Sequence, residues 1–147
     1  MTEEPAIVLV EDSPDDVAFF THALENAGWA PLPLQVIADG AEALEFFFAT
    51  GRYVGRPPAV LPKIIILDLK LPKIGGLEVL RRLKSDLRTH TIPVVVFSSS
   101  QEEHDLMECY RLGANSYLVK PMNYDAFGQS VRLIGQYWLQ FNQTTKP

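Results

Sequence analysis

The sequence predicts a doubly wound α/β fold, a parallel sheet with helices on both faces. Two observations carry this. Segments with strand character alternate with segments of helical spacing, strand then helix, five times over. Four of the strand segments, AIVLV (6–10), IIIL (64–67), IPVVVFS (92–98) and SYLV (116–119), are continuous apolar runs, the pattern of strands buried on both faces. The fifth, LQVIA (34–38), is weaker. Right-handed crossovers leave few ways to connect such units.

The elements follow in order. After the first strand, Ser13 suits a helix N-cap and Pro14 the first helical position, with Asp16 at the third. Val17, Phe20, Ala23, Leu24 and Ala27 then recur at helical spacing, and Gly28 stops the helix. Asp15 and Asp16 need no function, because the helix dipole favours acids in a first turn. Gly40 precedes AEALEFFFAT, with Ala43, Leu44, Phe47 and Phe48 on one side. TGRYVGRPPAVLPK (50–63) exceeds the usual connection of about two to six residues. Its Pro and Gly content marks a solvated surface loop, with a docking role as the alternative. Gly75-Gly76 precede LEVLRRLKSD, where Leu77, Leu80 and Leu83 recur at period three beside Val79. EEHDLMECYRLG carries Leu106, Met107 and Tyr110 and ends at Gly113. The last helix is the longest, with Phe127, Val131, Ile134, Trp138 and Phe141 in one stripe.

Bulk composition narrows the function. A chain of 147 residues, 47 % apolar and 21 % charged, suits one compact globular domain. No apolar run approaches the ~18 residues that cross a bilayer. The start MTEEPAIVLVED is acidic where a signal peptide would be basic. A net charge of −5 without a basic stripe argues against nucleic acid as a ligand. The single cysteine, Cys109, allows no internal disulfide, suits a reducing compartment and reads as a small apolar side chain on a helix. His22, His90 and His104 share no metal-binding spacing. A cytoplasmic domain, bound to neither membrane nor nucleic acid, is the expectation.

In doubly wound sheets the working site lies outside the carboxyl ends of the strands. Here those ends carry Glu11-Asp12-Ser13, Asp68, Ser98-Ser99-Ser100 and Lys120-Pro121. A buried carboxylate such as Asp68 is costly unless paired or metal-bound. Glu11, Asp12 and Asp68 repel one another unless a cation joins them, and an all-oxygen donor set suits Mg²⁺. A purely structural acidic rim is the alternative. Ser98 reads either as a site hydroxyl or as the cap of a helix beginning near Gln101. Lys120, pinned by the following proline, would neutralise part of the rim. Dinucleotide-binding, P-loop and α/β-hydrolase signatures are absent. Position 70 is a lysine where a phosphatase of the paired-aspartate type needs a second acid. What remains is a carboxylate nucleophile, a metal, a hydroxyl and a cation, parts that serve acyl phosphate formation.

Together, Glu11-Asp12, Asp68 with Leu71-Pro72 and Gly75-Gly76, Ser98, Tyr117 and Lys120-Pro121 resemble the receiver domain of bacterial two-component response regulators. The resemblance covers residues 6–141, leaving 142–147 as a short tail with no output domain. It implies a flavodoxin-like five-stranded sheet in order 2-1-3-4-5 among five helices. Asp68 would accept a phosphoryl group from a histidine kinase. Asp12, Asp68 and the Lys70 main-chain carbonyl would bind Mg²⁺, with Glu11 acting through water. Lys120 would pair with the phosphoryl group, across a cis bond to Pro121. Ser98 would move to bond that group, and Tyr117 would turn inward behind it. The surface of the fourth helix, fifth strand and fifth helix would then change toward a downstream protein. Ser99 and Lys70 depart from the family pattern, the first beside the switch hydroxyl, the second as an added cation. The loop 50–63 and the tail LIGQYWLQFNQ further resemble small regulators that partner cyanobacterial phytochrome kinases. Such relatives pair through the same surface. Leu133, Tyr137 and Leu139 fall off the buried stripe and would be exposed in a monomer, so Leu133, Tyr137, Trp138 and Phe141 are the expected homodimer face; a tail folded back on its own domain is the alternative. A phosphorylation-independent interaction module with a relic pocket is the competing reading.

Overall fold

The structure, a computed structural model, describes residues 5–29, 32–57 and 61–144. Five parallel strands run β1 (Ile7–Val10), β2 (Leu34–Ile37), β3 (Ile64–Leu67), β4 (Val94–Ser98) and β5 (Ser116–Val119). They lie in the order β2-β1-β3-β4-β5, as the resemblance implies. Five helices alternate with them: α1 (Pro14–Asn26), α2 (Gly40–Phe48), α3 (Gly76–Lys84), α4 (Glu103–Leu112) and α5 (Tyr124–Gly135). Flavodoxin-like order brings the ends of β1 and β3 side by side, with Val10 opposite Leu67.

The continuous apolar runs are explained by two cores, one on each face of the sheet. Val8, Val10, Ile65, Leu67, Val94 and Val96 point toward α2, α3 and α4. Ile7, Leu9, Ile64, Ile66, Val95 and Phe97 point toward α1 and α5. Every residue of β1, β3 and β4 is buried. Each such Ile, Leu or Val contributes about 1.5–3 kcal/mol over exposure. β5 differs from its expected burial: Ser116, Tyr117 and Leu118 are half-buried and Val119 is exposed. It is an edge strand with a neighbour on one side only.

Local signals set the helix starts. The Ser13 Oγ accepts from the Asp16 N–H at 3.3 Å and caps α1. Asp39 does the same for α2, accepting from the Glu42 N–H at 2.7 Å. α3 begins at Gly76 for a steric reason. A Cβ on Gly76 would stand 2.2 Å from the Asp68 carbonyl oxygen and 2.6 Å from the Leu69 Cα. Those atoms are main chain and cannot rotate away, so Gly76→Ala is expected to cost about 1–3 kcal/mol as an overpacked site. A fall in the urea midpoint at unchanged m would show it.

Two helices depart from their sequence stripes. In α4 the buried residue is Cys109, whose thiol burial pushes up to about 11, while Leu106, Met107 and Tyr110 face solvent. α4 covers the β5 edge, where there is less sheet to bury against. The last helix is α-helical to Gly135 and then widens into a π-helical turn over Gln136–Phe141. Its larger turn shifts the phase of the stripe. Phe127, Val131 and Ile134 are buried and Trp138 is half-buried, but Phe141 is exposed. Leu139, expected outside, packs on the core instead. At the junction a Cβ on Gly135 would lie 2.4 Å from the Trp29 ring, so only glycine lets that indole sit there.

The loop after α2 is less free than its composition suggests. The Tyr53 hydroxyl donates to Glu42 Oε2 at 2.6 Å, Arg52 pairs with Glu45, and the Arg56 guanidinium lies 3.9 Å above the Phe46 ring. Positions 58–60 of the expected loop lie outside the described residues.

Candidate phosphoacceptor site

Each strand end delivers its side chain through a main-chain bond to a neighbouring strand. The Glu11 N–H donates to the Ile37 carbonyl at 2.9 Å and the Asp68 N–H to the Val10 carbonyl at 3.0 Å. The Lys120 N–H donates to the Ser98 carbonyl at 2.8 Å. All five strands thereby take part in fixing one rim. Asp68 and Glu11 are buried there, while Asp12 is open to solvent.

The buried Asp68 is paired. The Lys120 ammonium donates to Glu11 Oε1 at 2.5 Å, to Asp16 Oδ2 at 2.8 Å and to Asp68 Oδ2 at 3.2 Å. Its three N–H donors are thus all used. The other Asp68 oxygen, Oδ1, accepts from the Leu69 N–H at 2.8 Å. Burial pushes the Glu11 carboxyl up to about 7; the Lys120 hydrogen bond opposes this and the Asp68 charge reinforces it. Burial also disfavours the Lys120 ammonium, but its bonds to Asp16 and Glu11 and the charge of Asp68 outweigh that. Its pKa is held above the ordinary lysine range.

Glu11, Asp12 and Asp68 also offer one oxygen each, all within 4.8 Å of one another. An octahedral ion binding oxygens at about 2.1 Å separates its ligands by about 3–4 Å, so the three need little adjustment to share one. The residues fit a hard divalent cation: oxygen donors only, two of them buried and one open to solvent.

Ser98 is fully buried and its Oγ accepts from the Ser100 N–H at 3.2 Å. It does not cap α4, which starts at Glu103. Ser100 instead links the approach to the helix with its first turn: its Oγ accepts from the Glu102 N–H at 3.3 Å and donates to Asp105 at 2.6 Å. The Tyr117 hydroxyl donates to the Ser100 carbonyl at 2.9 Å, and its side chain is half-buried. Ser99 and Lys70 are exposed, and Pro121 is half-buried beside Lys120. Of the expected dimer face, Leu133, Tyr137 and Phe141 are exposed and Trp138 is half-buried. All four lie on the last helix, outside the rim.

Sequence reasoning missed two residues. Asp16 does more than answer the α1 dipole, because it is an ion-pair partner of Lys120. Its spacing of four from Asp12, on a helix that begins at the rim, was the available signal. Ser100 joins Ser98, Tyr117 and the start of α4, and the Ser-x-x-Glu spacing of Ser100 and Glu103 hinted at a helix start.

Comparison with known proteins yields a family match and close structural neighbours. The model of the response regulator receiver domain matches residues 7–132. The probable methanogenesis regulatory protein FilR2 of Methanothrix harundinacea is 35% identical over 146 residues, 99% of this chain and 91% of its own. Response regulator Rcp1 of Synechocystis sp. is 36% identical over 134 residues, 91% of this chain and 88% of its own. A structure of the Mn²⁺-bound form of Rcp1 superposes with a TM-score of 0.87 at 34% identity, covering 97% of this chain and 99% of that one. That of the phosphorylated cyanobacterial phytochrome response regulator RcpA gives a TM-score of 0.85 at 36% identity, with the same coverage.

Proposed function

The chain belongs to the response regulator receiver domain family, and from that premise we propose that Asp68 is its phosphoacceptor, loaded by a histidine kinase. Receiver domains of this family are the phosphorylated partners of histidine kinases, and they bind a divalent metal at an acidic pocket. The observation that supports Asp68 most strongly is its place 3.2 Å from the Lys120 ammonium within a rim of further carboxylates.

The residues divide the work as follows. An Asp68 carboxylate oxygen forms a bond to phosphorus as the bond from phosphorus to the donor imidazole breaks, and the imidazole leaves with a proton from solvent. Asp12, Asp68 and the Lys70 carbonyl would hold Mg²⁺, with Glu11 acting through water, and the ion would supply charge neutralisation for the transferring oxygens. Lys120 would donate to those oxygens as well. Ser98 trades its bond from the Ser100 N–H for a donation of its own hydroxyl to the phosphoryl group. That trade disturbs Ser100, which holds both Tyr117 and the first turn of α4. The phosphoryl group shifts the population of two states because it contacts one of them better.

The surface so altered carries Leu106, Met107, Tyr110 and Val119, all exposed, and signals to a downstream protein. The kinase is a phytochrome, by likeness to the phytochrome response regulator RcpA, and the protein works in the cytoplasm without catalysing turnover of any other substrate. It pairs with itself through Leu133, Tyr137, Trp138 and Phe141. Since Trp138 packs on its own core, Tyr137→Ala with Phe141→Ala tests the pairing with least damage to the fold. Sedimentation should show a dimer constant weakened at least about tenfold, the scale of one lost hot-spot contact. An unchanged mass distribution would put the interface elsewhere.

Intact mass after incubation with acetyl phosphate tests the central reading. One phosphoryl group should be gained with Mg²⁺ and none after chelation. If neither acetyl phosphate nor a phosphorylated histidine kinase labels the protein, it is a phosphorylation-independent module.

A further inference from the structure

We infer that Asp16 is a positioning residue that parks the Lys120 ammonium in the unphosphorylated protein and competes with the phosphoryl group for it. The inference rests on the reading of Asp68 as phosphoacceptor. Its geometric basis is the saturated ammonium, whose three donors meet Glu11, Asp16 and Asp68 at 2.5, 2.8 and 3.2 Å. A phosphoryl oxygen can receive an N–H from Lys120 only when one carboxylate gives it up.

Asp16 is the carboxylate that yields at least cost. The Glu11 side chain is 4% exposed, so releasing it would strand a buried carboxylate, and Asp68, 10% exposed, is the acceptor itself. The Asp16 side chain is 27% exposed. It borders a cavity of about 250 Å³ shared with Phe19, Ser99, Lys120 and Tyr124, where water can solvate it. It also sits in the first turn of α1, whose N–H groups stabilise a free carboxylate. Glu11 and Asp68 belong to the oxygen cluster that fits a cation, and Asp16 does not. Once a cation draws on that cluster, Asp16 is the lysine's remaining counter-ion outside it. Phosphorylation then amounts to an exchange at Lys120, one carboxylate for one phosphoryl oxygen.

Asp16→Asn keeps the side-chain shape and removes the charge that holds the ammonium. With phosphoramidate and acetyl phosphate as donors, the variant should take up phosphoryl groups faster than wild type. The expected gain is on the order of three- to tenfold, the scale of one partly exposed ion pair. Asp16→Glu, which restores a carboxylate, should return uptake toward the wild-type rate. The Mg²⁺ concentration giving half-maximal uptake should stay within about twofold in both, since Asp16 lies outside the cation cluster; a general loosening of the fold would move it. Uptake by Asp16→Asn that is equal to or slower than wild type would overturn the inference, because Asp16 would then be neutral or an aid to Lys120. Failure of the reading beneath it has a different signature, a wild-type protein that no phosphodonor labels.

Discussion

Asp68→Asn should lose phosphoryl uptake by more than about a thousandfold while remaining folded, because an amide is not a competent nucleophile at this centre. The fold should survive for reasons visible at the rim. The amide oxygen can still accept from the Leu69 N–H, now at 2.8 Å, and Lys120 keeps Glu11 and Asp16 as partners. Removing one charge from a site where Glu11 and Asp68 repel also relieves strain, so the urea midpoint should hold or rise. Intact mass with acetyl phosphate and Mg²⁺, and then with a phosphorylated histidine kinase, reads the first effect. A variant still labelled at wild-type rate would remove Asp68 from the acceptor role. The companion outcome matters equally: an unlabelled variant that has also lost cooperative unfolding would show that the substitution broke the rim.

Asp68 was legible because its signal is local. A carboxylate at the end of IIIL contradicts the run before it, and the same contradiction recurs at Glu11 and, with opposite sign, at Lys120. Strands β1, β3 and β4 were legible for a related reason, since burial on both faces leaves no polar alternation to misread. What escaped depends on the partner rather than on the segment. Asp16 carries a complete local explanation as a helix-start acid, and the lysine that gives it another role stands 104 positions further on. In α4 the apolar spacing is real, yet which stripe is buried depends on how much sheet lies beneath it. Cys109 faces inward at the β5 edge, so Leu106, Met107 and Tyr110 are left outside. The π-helical turn at Gln136–Phe141 is invisible to a count at 3.6 residues per turn, which is why Leu139 and Phe141 exchange places. It begins at the glycine covered by Trp29.

Lys120→Met tests whether the rim is held together by one ammonium. Methionine keeps much of the apolar stem, so the loss is mainly electrostatic. Glu11 and Asp68 are then buried without their counter-charge, and breaking a buried pair on one side costs about 3–5 kcal/mol. In chelator the variant should unfold at a correspondingly lower urea concentration, with its stability falling as pH rises. The sign follows from Glu11. Its carboxyl is raised from 4.5 to about 7 even beside Lys120, and loss of the ammonium raises it further. Over that window the folded protein binds the proton and the unfolded chain has released it, so each rise in pH favours unfolding. Below about 4.5 both states are protonated at this site and the penalty disappears. Mg²⁺ should restore more stability to the variant than to wild type, since a cation that binds only the folded rim supplies the missing charge. Uptake from acetyl phosphate should persist at a reduced rate, because Asp68 is intact. The change at Tyr117 and α4 should be absent, because the phosphoryl group has lost the contact that favours one state over the other. Protection of α4 amides from hydrogen exchange, before and after labelling, measures that directly. An α4 response equal to wild type in a labelled Lys120→Met protein would move the coupling from Lys120 to Ser98 and Ser100 alone.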